Sequence, residues 1–488
     1  MYNIIAQLSK YLMIILVILY SFQCFTVFKK KHMDKYRTEL FRKRVFRKQI
    51  WTMMLFLVIG FGNIYMFTKN EEVLMLLAGI ILYIVIIQML YRLLYPKASM
   101  LVVNNTCMLL AIGFVILARL DFEDAFKQFL VASVSAVIAL IIPVIIRKLR
   151  FLNRLKWMYA ILGILCLGVV LVLAQTSGGA KLSIEIGGIS FQFSEIVKIT
   201  YVFYMACALQ SDVSFRNVAI TTCVAALHVV ILVLSTDLGT GVVFFMTYVV
   251  IVYVATKKPA YAGLALGGGS LAAVAAYFLF HHVRNRVIYW RDPFADYDHA
   301  YQIIQGMFAV GAGGWFGMGL YQGIPKTIPL ATNDFVFTAI CEELGGIIGI
   351  CLILICMSMF LMILNISMRI KNPFYKLVAL GLGTEYAFQV FLNIGGATKF
   401  IPMTGITLPL VSYGGSSVMS TMIMLAIIQG LYILREDEGE ELERERQELK
   451  RQEQAIIDAA GIEEFYYEPV SHQKTGASRT KGKEKQRR

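Results

Sequence analysis

The run Phe335–Met368 reads FVFTAICEELGGIIGICLILICMSMFLMILNISM. As one helix, at about 1.5 Å per residue, it would reach about 50 Å, against a hydrocarbon core of about 30 Å. It is therefore expected to tilt, or to begin outside the hydrocarbon. Twelve further apolar runs surround it, near residues 5–28, 51–67, 72–94, 100–118, 127–147, 157–175, 192–210, 215–235, 240–256, 261–281, 376–394 and 407–433. A helix needs about 20 apolar residues to cross a bilayer. The expected fold is thus all-α: a polytopic membrane helix bundle of about thirteen transmembrane helices.

Composition agrees. The chain is 58% hydrophobic and 16% charged, where a soluble domain is nearer half and a quarter. The net charge of +14 would suggest nucleic acid in a soluble protein. Here the bases lie in short clusters between apolar runs, so they are read as topology signals with some attraction to anionic lipid, and no nucleic acid is expected. The eight cysteines lie almost entirely inside apolar runs without a C-x-x-C pair, and are read as packing residues. The first run is followed by a basic cluster and lacks a small-residue cleavage site, so a retained anchor is expected.

Every second loop is basic: Lys29–Lys48, Arg92 with Lys97, Arg147–Lys156, Arg216, Lys257 with Lys258, and Arg369–Lys376. The positive-inside rule places these loops and the tail from Arg435 in the cytoplasm, and the N-terminus outside. Of the outer loops, 176–191 is rich in Gly and Ser, and 282–334 is the largest soluble piece between spans. The tail opens with a Glu-, Arg- and Lys-dense stretch, Arg435–Gln454, expected as a solvated helix with i,i+4 pairs. Residues 470–488 are polar and basic and are expected to be disordered.

Charge inside apolar runs is the informative signal, because an ionised group at the bilayer centre costs about 2.5–3.5 kcal/mol. Glu195 and Lys198 are three apart and can pair on one helix face, although Ser194 as a helix cap with Glu195 at the positive end explains them equally well. Asp237 reads as a cap between two spans. Asp334 could cap the long run, but Glu342 lies two turns deeper, where a cap cannot explain it, and a carboxylate in a partly dry site can serve as a general base. The loop after the tenth run carries His281, His282, Arg284, Arg286, Arg291, Asp292 and His299; arginine suits phosphate because its planar fork donates several N–H groups. Gly311–Gly319 lacks the Gly-Lys-Ser/Thr of a nucleotide loop and is read as a close-packed turn or re-entrant segment. On the loop count, Glu195, Asp237, Asp334, the basic loop and Pro402–Gly405 all fall on the outer side, with Ser412–Ser417 just below. Independent caps would fall on both sides, so one outward-opening site is expected. ATP is absent outside, so such a site must use an activated substrate.

Together these segments resemble the SEDS family, which contains FtsW, RodA and SpoVE. The resemblance is carried by Gln192–Lys198, Asp237–Thr240, Tyr301–Gln302 with Gly311–Gly319, Asp334–Phe337 with Glu342–Gly345, and Asn393–Gly395 through Pro402 to Leu408–Ser416. It implies a ten-helix core over 97–435 with the large loop 282–334, preceded by a three-helix extension over 1–96 and followed by a charged tail over 436–488. It implies peptidoglycan glycosyl transfer on lipid II, usually beside a class B penicillin-binding protein, at the outer face of a bacterial cytoplasmic membrane. Asp334 matches the family's proposed catalytic base. Glu195, Lys198, Asp237, Gln302, Glu342, Ser412 and Ser416 are expected to bind substrate, with Arg284, Arg286 or Lys198 facing the leaving diphosphate. No dedicated metal site is visible, although Asp334 and a substrate diphosphate could share a divalent cation such as Mg or Mn. The family usually has Pro where Phe193 and Thr236 stand, Arg-Trp near Leu182–Ser183, Glu near Leu330 and Lys at Met318, so this chain is read as a divergent member. A precursor flippase and a non-catalytic scaffold are the alternative readings.

Overall fold

The computed structural model describes residues 2–28, 35–173, 184–186 and 189–460. The chain begins with α1 (Tyr2–Thr26), α2 (Lys35–Thr68) and α3 (Glu71–Leu94). Next come α4 (Met100–Leu120), α5 (Phe122–Lys148) and α6 (Lys156–Leu173). A small hairpin, β1 (Ile184–Ile186) with β2 (Ile189–Phe191), pairs Ile184 with Phe191 and precedes α7 (Phe193–Leu209). Then follow α8 (Phe215–Leu234), α9 (Leu238–Thr256), α10 (Pro259–Leu279), α11 (His281–Arg291) and α12 (Tyr297–Gly313). The last four are α13 (Val336–Leu344), α14 (Gly346–Arg369), α15 (Pro373–Ala397) and α16 (Gly415–Ala460).

Among the described residues, eleven helices are long and apolar enough to cross a membrane. The other two expected spans are the shorter helices α6, with 18 described residues, and α7, with 17, at the lower end of the length that can cross a bilayer. The chain is an all-α, multi-pass membrane bundle. Leu182–Ser183 and 470–488 lie outside the described residues. The Glu-, Arg- and Lys-dense stretch after Arg435 is helical as expected, with Arg444 4.0 Å from Glu440 one turn away. From Asp437 onward the chain forms a separate unit. All eight cysteines are free thiols.

Local chemistry sets the helix boundaries. Asn70 caps α3 by accepting from Glu72 N, and Glu71 and Glu72 sit in the positive first turn. Asp121 caps α5 through the amides of Glu123 and Asp124. Pro373 opens α15 at a position where its missing N–H costs nothing.

α4 is buried on every side and forms the axis of the bundle. An all-round apolar helix still needs directional contacts in lipid, where hydrophobic burial does not select partners. Asn104 accepts from Gln88 Nε2 at 2.6 Å and donates to Gln49 Oε1 at 2.8 Å. Asn105 accepts from Tyr20 OH at 3.1 Å and donates to Ser358 Oγ at 2.7 Å. Two adjacent asparagines thereby tie α1, α2, α3 and α14 to the central helix.

The long run 335–368 is not one helix. It breaks at Gly345, whose φ of 93° and ψ of 161° lie where essentially only glycine fits. A Cβ there would meet Gly317 N and Trp315 O at 2.5 Å. The break leaves α13 as a separate short helix beneath the loop and explains the excess length. Gly345→Ala is expected to lose at least 1–3 kcal/mol, roughly the strain of such backbone, seen as a lower thermal unfolding temperature in detergent. An unchanged temperature would mean that the close approach is not held in solution.

Candidate functional site

Five stretches meet at one end of the bundle: the starts of α7, α9 and α16, the head of α13 and the segment 401–414. Side-chain hydrogen bonds hold them. Asn393 near the end of α15 donates to Asp334 O at 3.0 Å and to Ile406 O at 2.6 Å. Ser412 donates to Asn333 O and accepts from Leu408 N at 2.8 Å. Tyr413 N donates to Thr332 O at 2.8 Å, and Asn333 Nδ2 donates back to Tyr413 O at 3.1 Å. Ser416 accepts from Gln192 N at 2.9 Å, joining the β-hairpin to α16. Ser412 and Ser416 are thus fasteners of the backbone around the site.

Within this frame Asp334 does not cap α13, whose N-cap is Phe335 with no side-chain cap bond. Its backbone is pinned, Phe335 behind it is fully buried against Gly306, and its carboxylate points to Arg286 and Gly405. A side chain at Gly405 would approach both Asp334 Oδ2 and Arg286 Nη1 to 3.8 Å. Arg286 reaches from α11 to donate to Met403 O at 2.9 Å. It lies within electrostatic range of both Asp237 and Asp334. Burial pushes the Asp334 carboxyl from the ordinary 3.8 up to about 6, with Arg286 pulling it partly back. Asp334 as a whole residue is half-buried.

Asp237 does two jobs. One oxygen caps α9 by accepting from Thr240 N at 3.1 Å. The other accepts from Ser194 Oγ at 3.0 Å and from Gln192 Nε2 at 3.4 Å. Burial raises its carboxyl, opposed by these hydrogen bonds to Thr240 and Ser194. Ser194 therefore serves Asp237 and not the amides of its own helix.

One turn into α7, Glu195 and Lys198 form the pair expected from their spacing, at 2.7 Å and almost fully buried. Ser420 donates to Glu195 Oε2 at 2.7 Å, and Lys198 donates to Gln389 Oε1 at 2.8 Å. Glu385, fully buried on α15, lies within electrostatic range of both. Sequence reading missed Glu385, although an acid inside the run 376–394 was a usable signal. Lys198→Met is expected to cost roughly 3–5 kcal/mol, because buried acids lose their counter-charge; a denaturant or thermal titration matching wild type would overturn the pairing.

Glu342 is placed elsewhere. Its Oε1 accepts from Ile324 N at 2.8 Å and packs against Gly323, so it helps to hold the loop. Its neighbour Glu343 pairs with Arg119 of α4 at 2.7 Å, a buried pair that sequence reading also missed. Gln302 donates to Pro329 O at 2.9 Å, a contact within the large loop. Arg284 is half-buried on α11, two residues before Arg286. No group of three His, Cys, Asp or Glu suited to a metal is assembled among the described residues. Arg286 already supplies the positive charge facing Asp237 and Asp334, so a dication there would meet a guanidinium, and the residues do not form a cation cage.

The arrangement couples a carboxylate able to take a proton near neutral pH with a guanidinium that has N–H donors to spare. Beside it, Asn393 Oδ1 and Thr404 Oγ1 are buried without a hydrogen-bond partner among the described residues. Fold and site define a multi-pass membrane protein with an acid–guanidinium centre at one end of its helices.

The chain belongs to the cell cycle protein family of FtsW, RodA and SpoVE, whose model matches residues 98–436. It is 32% identical over 364 residues to the peptidoglycan glycosyltransferase RodA of Mycobacterium bovis, covering 68% of this chain and 77% of that one. It is 32% identical over 359 residues to the stage V sporulation protein E of Bacillus subtilis, covering 67% of this chain and 94% of that one. Its fold matches a chain of a peptidoglycan synthase complex with a TM-score of 0.59 at 24% identity, over 69% of this chain and 98% of that one. It also matches Thermus thermophilus RodA, with a TM-score of 0.52 at 22% identity, over 69% of this chain and 96% of that one.

Proposed function

We propose that this protein is a peptidoglycan glycosyltransferase that polymerises lipid II at the outer face of the cytoplasmic membrane. The observation that carries the reading is the convergence of Asp334, Arg286 and Asp237 at the end of the bundle. Relatives named as peptidoglycan glycosyltransferases support it. The site end is taken as outward, with the N-terminus outside and the tail inside, as the loop charges argue. A class B penicillin-binding protein is the proposed partner. Residues 1–96 are taken as a three-helix extension, 97–435 as the catalytic core and 436–488 as the charged tail.

The reaction is a single inverting displacement. Asp334 accepts the proton of an acceptor sugar 4-hydroxyl as that oxygen forms its bond to the donor anomeric carbon. The bond from that carbon to the diphosphate oxygen breaks, and undecaprenyl diphosphate leaves with the electron pair. Arg286 faces the departing diphosphate with its free N–H groups, charge stabilisation that grows as the bond breaks. Asp237 holds Arg286 electrostatically, while Glu195 and Lys198 keep the start of α7 in place.

The test is glycan formation from lipid II by the purified protein, alone and with a class B penicillin-binding protein. Polymer is expected; none in either case would favour a flippase or a scaffold. A base acts only when deprotonated, so kcat/KM should rise with pH through about 6, the value set by burial of Asp334, and level off above it. Arg286 lowers the Asp334 carboxyl. Arg286→Gln should therefore move the acid limb to higher pH as well as slow turnover. A limb that stays in place would detach Arg286 from the base.

A further inference from the structure

The family model begins at residue 98, yet the helices before it touch the loop that carries the site. Three consecutive loop residues meet α1. Lys10 Nζ donates to Gly317 O at 2.9 Å, Gln7 Nε2 donates to Met318 O at 2.9 Å, and Tyr11 lies 5.8 Å from the Phe316 ring. Phe67, near the end of α2, stacks on Tyr321 at 4.0 Å. Lys10 is only 8% exposed, and a buried ammonium is costly unless its donors are used.

This loop is a backbone cradle for α13. Met318 N donates to Glu342 O at 2.9 Å, Gly319 N to Glu343 O at 2.8 Å, and Gly346 N to Gly314 O at 2.8 Å. Gly317, at φ 73°, sits so close that a Cβ would meet Glu343 O at 2.4 Å. Tyr321 stacks under the Arg119 guanidinium and its amide donates to Glu343 Oε1. The cradle therefore grips the end of α13, and the head of that nine-residue helix follows Asp334 by two residues. Short rigid helices transmit displacement along their length, and sub-ångström placement governs proton transfer.

We infer that the helices preceding the family core form an intramolecular clamp on the catalytic segment, with Gln7, Lys10 and Phe67 as positioning residues for Asp334. The inference rests on the assignment of Asp334 as base. Rotation of α1, for instance by a partner bound on its exposed face, would reach the site through the cradle.

The test uses the full-length protein with Lys10→Met and Lys10→Arg, following lipid II turnover and amide exchange at residues 314–319 and 341–347. In Lys10→Met, exchange at these amides should rise and kcat fall, each about tenfold, the effect of one lost charge-assisted hydrogen bond. KM should hold, and Lys10→Arg should restore both. Unchanged exchange would overturn the clamp. Raised exchange with unchanged kcat would overturn its role in positioning Asp334. A wild type inactive on lipid II both alone and with a class B penicillin-binding protein, whose exchange still depends on Lys10, would overturn the glycosyltransferase reading and leave the clamp standing.

Discussion

Asp334→Asn is expected to lower lipid II polymerisation by roughly 10²–10⁴-fold, the usual contribution of a general base. The substitution keeps the side-chain shape and leaves the backbone tie from Asn393 to residue 334 untouched. The proton acceptor is lost, together with the negative charge that faces Arg286. Stability should move the other way. A carboxyl raised from 3.8 to about 6 on folding stabilises the fold below 3.8, where it is protonated in both states. That contribution is lost as pH rises through 6, and at neutral pH the buried ionised group is a cost. The asparagine protein should therefore melt at or above the wild-type temperature at pH 7 while making almost no glycan. Wild-type polymer from this variant would remove Asp334 as base; a collapsed melting temperature would show that its carboxylate is structural.

The second large effect concerns folding. Arg119→Met should destabilise the protein by roughly 3–5 kcal/mol, because it strands a buried carboxylate. Glu343 is fully buried and its Oε1 lies 2.7 Å from Arg119 Nη2. Arg119 also donates to Gly323 O at 3.2 Å and stacks on Tyr321. The double variant Arg119→Met/Glu343→Gln removes both charges and should recover much of the loss, since a buried pair adds little over a neutral replacement. A double variant as unstable as the single one would place the energy in the Gly323 and Tyr321 contacts instead.

Much of the site was legible because charge in an apolar run is costly and therefore conspicuous. Glu195, Lys198, Asp237 and Asp334 could each be found that way, and spacing foretold the Glu195–Lys198 pair. Spacing could not separate a cap from a functional acid. Asp237 proved to be a cap and a cluster member together, while Asp334 caps nothing. Nor could it show that Arg286 reaches Met403 across 117 positions of chain, while its neighbour Arg284 is only half-buried on the same helix. Glu342 shows a different limit of the sequence. Its depth suggested proton chemistry, and its partner is a loop amide that no local pattern announces.

By itself the sequence determined the membrane bundle and the approximate span boundaries, since a lipid-exposed backbone must satisfy its own hydrogen bonds and leaves hydropathy little freedom. It also determined the rule that the two ends of the chain's helices differ in charge. Tertiary structure alone decided the break at Gly345, the pairing of Arg119 with Glu343, the approach of Glu385 to Lys198, and the reach of Lys10 to Gly317. Each of these joins residues far apart in the chain. Lipid gives packed helices no hydrophobic preference for one neighbour over another, so close packing and a few buried polar contacts select the partners.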